Sequence, residues 1–202
     1  RGKALDVLRA LIDETGAEAV RWGRAYDAEQ VARDTGVKEA LSDDGIDAKS
    51  TAAHLIFEPW SVETKTGGFY KVYTPFWRAV KDSDPGPLLP APSALEAPDT
   101  WPDGDDPADW ALDAAMRRGA AVVREHLCVG EAAAQARLDD FLGSAIAHYK
   151  ARRDFPAVPA TSRLSDNLAW GELSARTLWY AGPAALEGGA AQAEHFVKEV
   201  VW

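Results

Sequence analysis

Five consecutive residues, Thr161, Ser162, Arg163, Leu164 and Ser165, concentrate the chemically capable groups of this sequence. They make a polar turn ahead of a helical segment, where hydroxyls, free amide N–H groups and a guanidinium can converge. That is anion-binding equipment: a helix N-terminus presents unpaired N–H groups with positive partial charge, and arginine adds a fork suited to phosphate oxygens. The same residue types also make an ordinary helix cap, and spacing alone leaves both readings open. Just upstream, Arg152 and Arg153 form a basic step on an acidic chain, able either to touch a phosphate backbone or to partner a helix dipole. Eight tryptophans, Trp202 among them, serve equally well as core or as rings that stack on a planar ligand.

Other chemistries lack their residues. The sequence holds no phosphate-binding glycine loop, no nucleophile elbow and no carboxylate pair whose spacing forces the two together. The one cysteine, Cys128, excludes an internal disulfide and a multi-cysteine metal site, and His54, His126, His148 and His195 lack ligand-pair spacing, so no metal is expected. No stretch approaches the ~20 apolar residues of a membrane span. The opening RGKALDVLRAL is amphipathic and unlike a signal, which points to a cytoplasmic protein. A formal net charge of −10 argues against an undirected grip on phosphate backbones, so any DNA contact must be local. Much of that charge lies in Glu96, Asp99, Asp103, Asp105, Asp106, Asp109 and Asp113, a block with no base in it.

The elements that would position the turn follow from periodicity. Leu5, Leu8, Leu11 and Ile12 recur at helical spacing, with Gly16 where a C-terminal cap would fall, and predict a helix. In AVRWGRAYD, Val20 and Trp22 alternate with charged residues as a half-buried strand does, EQVARDTGVKEAL is helical again, and a second strand is expected at residues 54–57. Helix, strand, helix, strand in this order implies parallel α/β layering. Between residues 59 and 107 the periodicities vanish and prolines accumulate, most densely in DPGPLLPAPSALEAP, and an interdomain connection is expected there. Residues 108–127, 131–151, 165–181 and 190–202 carry apolar stripes at three- and four-residue spacing, which predicts an all-helical segment. The expected division is an α/β part over 1–58, a linker over 59–107 and a helical part over 108–202.

Several separated segments resemble the DNA photolyase and cryptochrome family. YKVYTPFWRA (70–79) resembles its interdomain motif, GEAAAQARLDDFL (130–142) its linker helix, and YKARRDFPAVPATSRLSDNLAWGELSAR (149–176) the start of its flavin domain. WGRAYDAE (22–29) and AEHFVKEVVW (193–202) extend the match, and the overall likeness is to a class I-like cyclobutane pyrimidine dimer photolyase. The chain opens on Arg1 and stops at Trp202 inside a helical pattern, so a piece cut at both ends is expected.

The resemblance implies an N-terminal α/β antenna domain followed by the start of an all-helical FAD-binding domain. By position, Tyr149, Thr161, Ser162, Arg163, Leu164 and Ser165 match the family's FAD contacts. Arg153 matches a residue that meets the DNA strand, Glu199 and Trp202 match the carboxylate and ring of the cavity for a flipped dimer, and Phe196 stands where relatives often carry another aromatic. No catalytic side chain is expected within the chain, since FAD performs the electron transfer. The expected partner is DNA containing pyrimidine dimers, with no membrane and no metal. Relatives that act on 6-4 photoproducts usually carry glutamine at the position of Glu199, which favours cyclobutane dimers. A light sensor of cryptochrome type is the alternative. Where folate-using relatives carry an Asn-Glu pair this chain has Glu29 and Gln30, which leaves the antenna chromophore open, and the family's proline after GELS is Ala175. Taken by itself, such a piece is expected to expose apolar helix faces, with self-association, loose helices or disorder near residues 80–110 as the result.

Overall fold

Leu5, Leu8 and Ile12 line one side of α1 (Ala4–Thr15) and pack against buried Val37, Leu41 and Ala48. The helix stops where the sequence places its cap: Gly16 turns left-handed at φ 69° and its N–H donates to the Ile12 carbonyl at 2.8 Å, a conformation glycine adopts without steric cost. The structure is a computed structural model that describes residues 1–112, 114–185 and 190–202. Asp113, last of the acidic block, lies outside the described residues.

Next come β1 (Ala19–Gly23), α2 (Ala28–Asp43) and β2 (Asp47–Thr51). The Asp27 carboxylate accepts from the Gln30 N–H and caps α2. β1 and β2 pair in parallel, with Ala19 opposite Asp47 and Gly23 opposite Thr51, so the expected parallel α/β arrangement is present. The second strand is not where apolar alternation placed it. Residues 54–57 form no strand, and DAKST, four residues of which are polar, makes the ladder instead. Backbone pairing to β1 decides its conformation, with only Ala48 buried. The apolar residues at 54–57 have another use: Ile56 is in the core of the second unit and the Phe57 ring meets Trp179 edge-on at 5.5 Å.

The chain divides into two units, residues 1–52 with 91–125 and residues 53–90 with 126–202. Within the region expected to be a bare connection, YTPFWRAV forms α3 (Tyr73–Val80), whose Trp77 and Val80 are buried. No helix or strand follows until Pro107. The single helix expected over 108–127 is replaced by two short 3-10 turns and α4 (Arg118–Arg124). Ala111 and Arg117 interrupt it by turning left-handed, at φ 47° and 50°.

The second unit is helical. Besides α3 and a 3-10 turn at Pro59–Ser61, it holds α5 (Glu131–Gly143), a second 3-10 turn, α6 (Tyr149–Arg152), α7 (Ser165–Ala169), α8 (Ala175–Ala184) and α9 (Ala190–Val201). Two of the expected stripes are thus broken, at Ser144 and at Gly171 (φ 72°), and each break redirects the chain around buried Leu138, Leu164, Leu178 and Phe196. α8 and α9 approach closely at Gly182, where an added Cβ would lie 3.2 Å from the Phe196 ring and 3.3 Å from a Val197 methyl. Gly182→Val is therefore expected to destabilise the full-length protein by about 1–3 kcal/mol through overpacking. Gly182→Ala should come out near neutral, since about 1 kcal/mol of helix propensity offsets the squeeze. Urea midpoints of the two variants check both.

Candidate functional site

The polar turn stands between two buried anchors, Ala160 and Leu164. Thr161, Ser162 and Arg163 line a recess of about 260 Å³ together with Arg137, Asp140, Phe141 and Ser144. Arg163 sits in the left-handed region at φ 55°. There the chain changes direction, so that Leu164 enters the core at 1 % exposure while its three predecessors face the recess. Leu164 and Ser165 do not line it. Two arginines, Arg137 and Arg163, line it with Asp140, and Asp166 stands 3.6 Å from Arg137. The arginine donors and the hydroxyl-bearing residues suit a small anion. α7 itself is only five residues long, so its dipole adds little and the cationic side chains carry the field.

A second cluster forms across α6 and α9. Tyr149 and Arg153 are one turn apart and share a face. The Arg153 guanidinium carbon lies 5.3 Å from the Tyr149 ring centroid, its Nη1 donates to the Tyr149 hydroxyl at 3.3 Å, and it reaches Glu199 Oε1 at 2.5 Å. The hydrogen bond to Glu199 holds the Arg153 guanidinium above its ordinary pKa, aided by the charges of Tyr149, Glu199 and Asp154 against a smaller cost of burial. Burial raises the Tyr149 phenol, with Arg153 opposing the shift. The Tyr149 ring is fixed edge-on to Phe141 at 5.7 Å and to Phe196 at 5.5 Å. The Lys150 N–H, donating to Gln192 Oε1 at 2.7 Å, ties α6 to α9.

The expected site residues therefore fall into three places. Thr161, Ser162 and Arg163 share the recess; Tyr149, Arg153 and Glu199 share the cluster; Phe141 belongs to both, lining one and packing in the other. Trp202 stands apart. It is 65 % exposed, with its ring against Tyr73 at 5.3 Å and Phe76 at 5.5 Å, on the wall of a separate apolar recess of about 300 Å³ that includes Ile56, Phe69 and Val200. Phe196 is a core residue at 2 % exposure.

Tyr73 connects Trp202 to the charged cluster. Its phenol, donating to the Lys198 carbonyl at 3.4 Å, is pushed up to about 12 by burial and by the carboxylates of Glu199 and Glu194. An unfolded tyrosine ionises near 10, so the stability held below pH 10 should be lost as pH rises through about 12. Urea midpoints at about pH 9 and about pH 11 are expected to fall less in Tyr73→Phe than in the parent.

Sequence reasoning missed Asn167, Glu172 and Arg137. Asn167 is fully buried, its Nδ2 donating to the Cys128 carbonyl and to Glu172 Oε2, each at 2.7 Å. Glu172 Oε1 in turn accepts from the Gly130 N–H at 2.7 Å, which sets the start of α5. The only signal for this was an amide within an apolar stripe. Arg137 looked like any exposed charge on an amphipathic helix. Among the described residues no cluster could hold a metal ion, and no helix is long and apolar enough to cross a membrane.

Residues 1–95 match a family model described as DNA photolyase. The deoxyribodipyrimidine photo-lyase of Agrobacterium fabrum is 42% identical over the whole of this chain and 42% of its own length. That of Halobacterium salinarum is 31% identical over the whole of this chain and 43% of its own length. The crystal structure of a bacterial class III photolyase from Agrobacterium tumefaciens matches with a TM-score of 0.88 at 40% identity, covering all of this chain and 42% of that one. The chain thus spans less than half the length of these relatives.

Proposed function

We propose that this chain, which belongs to the DNA photolyase family, is part of an enzyme that uses light to split cyclobutane pyrimidine dimers in DNA, with FAD as cofactor. The observation that carries the proposal is the adjacency of two kinds of equipment. Phe141 forms part of the wall of a recess that also holds hydroxyls and two arginines, and its ring packs edge-on against Tyr149 of the Tyr149, Arg153 and Glu199 cluster.

The recess fits the diphosphate of a dinucleotide in charge, donors and size, and its volume of about 260 Å³ does not extend to a flavin ring. On this reading Thr161, Ser162 and Arg163 hold the phosphates, Leu164 and Ser165 fix the turn and open α7, and Tyr149 borders the cofactor through Phe141. FAD, when bound, supplies the light absorption and the electron given to the dimer.

The protein's own groups do the recognition. Arg153 offers a cation to a phosphate of the damaged strand, a local contact that a chain of net charge −10 needs in place of a general basic surface. Glu199 offers an acceptor for the edge of an extruded base, and Trp202 offers a ring that replaces lost stacking. The division into an antenna part over 1–58, a connection over 59–107 and the beginning of the flavin part over 108–202 goes with this function, as does a cytoplasmic location.

The test is direct. The full-length protein loaded with FAD is expected to restore ultraviolet-damaged oligonucleotides under blue light and not in darkness. Flavin loading with no dimer reversal under illumination would refute the repair reading, and a light-induced spectral change without repair would favour a sensor.

A further inference from the structure

We propose that Arg137 on α5 is a positioning residue that holds the Thr161, Ser162 and Arg163 turn in its anion-binding shape. The inference rests on reading the recess as the seat of a dinucleotide's diphosphate, and it concerns a residue outside the turn.

Arg137 joins three segments. Its Nη1 donates to the Arg163 carbonyl at 2.8 Å and stands 3.6 Å from Asp166 Oδ1 at the start of α7, while its Nη2 donates to the His126 carbonyl at 3.4 Å. The carbonyl it holds most closely belongs to Arg163, whose φ of 55° is unfavourable for a residue with a side chain. That left-handed residue separates Ser162, facing the recess, from Leu164, buried in the core. A hydrogen bond that fixes this peptide therefore fixes where the two hydroxyls stand.

The side chain is 22% exposed, and Arg137 itself lines the recess. Without it, Arg163 would stand alone against Asp140. The choice of arginine matters for shape as well as charge: a planar fork serves two carbonyls in a fixed arrangement, whereas a lysine ammonium is a mobile point charge. Arg137→Lys thus keeps the field and removes the geometry.

The experiment titrates flavin-free full-length protein with FAD and with riboflavin, which lacks the phosphates, following flavin fluorescence. Arg137→Lys is expected to weaken FAD by about tenfold, from loss of a charge-assisted hydrogen bond, and to move riboflavin by less than about twofold. Asp166→Asn, which leaves the carbonyl contact intact, should bind both as the parent does. Unchanged FAD binding in Arg137→Lys overturns the proposal. So does an equal loss of FAD and riboflavin, which would mean a general structural role, or a loss in Asp166→Asn as large as in Arg137→Lys, which would credit the ion pair instead. A parent protein that binds no FAD at all overturns the diphosphate reading itself, and this inference with it.

Discussion

Phe141→Ala is expected to destabilise the full-length protein by about 3–5 kcal/mol, because the ring is buried and its removal leaves a cavity that its neighbours cannot fill. The neighbours are constrained. Phe141 is 5% exposed, its centroid lies 4.8 Å from that of Phe196 and 5.7 Å from that of Tyr149, and Tyr149 is held in turn by Arg153 and Phe196. A domain stable by only about 5–15 kcal/mol loses a large share of its margin this way. The ring also forms part of the recess wall, so FAD affinity should fall with stability. Phe141→Leu, which keeps most of the volume, should cost less than about 1.5 kcal/mol and retain FAD. Urea unfolding with an unchanged slope measures the first effect, and flavin titration the second. A Phe141→Ala protein as stable as the parent would mean that the core tolerates the loss and that the ring does not couple the two sites.

The second large effect concerns the Arg153 and Glu199 pair, whose two partners should respond in opposite directions. Arg153→Ala is expected to weaken binding of damaged DNA about tenfold at low salt and to reduce the salt slope by about one, the loss that the proposed phosphate contact predicts. Glu199→Ala releases Arg153 from its 2.5 Å contact and removes a negative charge from the surface proposed to meet DNA. Affinity for undamaged DNA should therefore rise, while preference for the dimer and the yield of repair per photon fall together. Electrophoretic mobility shifts on paired damaged and undamaged duplexes at two salt concentrations read both. Equal changes on the two duplexes in Glu199→Ala would remove that residue from lesion recognition. Little folding stability is at stake, because Glu199 is 46% exposed and surface ion pairs contribute less than about 1 kcal/mol.

The parts of this architecture that sequence reveals are those where one physical signal dominates. α1, with its Leu5, Leu8 and Ile12 stripe and its Gly16 stop, needs no tertiary information, nor does the alternation that marks β1. The hydroxyl and guanidinium turn is legible because its residue types are few and adjacent. β2 escapes because its polar DAKST carries no burial pattern and is held by backbone pairing to a strand distant in sequence. Residues 54–57 mislead for the complementary reason: their apolar groups serve a helical core. The helix breaks at Ser144 and Gly171 follow from packing around Leu138 and Leu178, which no local stripe encodes. Arg137 is opaque because its value lies in a carbonyl 26 residues away, and a charged residue on a helix face reads the same whether or not such a partner exists.

The hydrogen-bonded link from buried Asn167 through Glu172 to Gly130 bears on how the gene can change. An insertion near residue 130 or 170 would pull apart these donors and acceptors and leave the fully buried Asn167 amide without its partners, so the spacing of those segments is restrained. Residues 91–104 carry no helix or strand, and lengthening a surface loop costs only about 0.6 kcal/mol per doubling. Codons gained or lost during divergence should therefore accumulate there, and relatives aligned by structure should differ in length at 91–104 while keeping step at the two ends of the link.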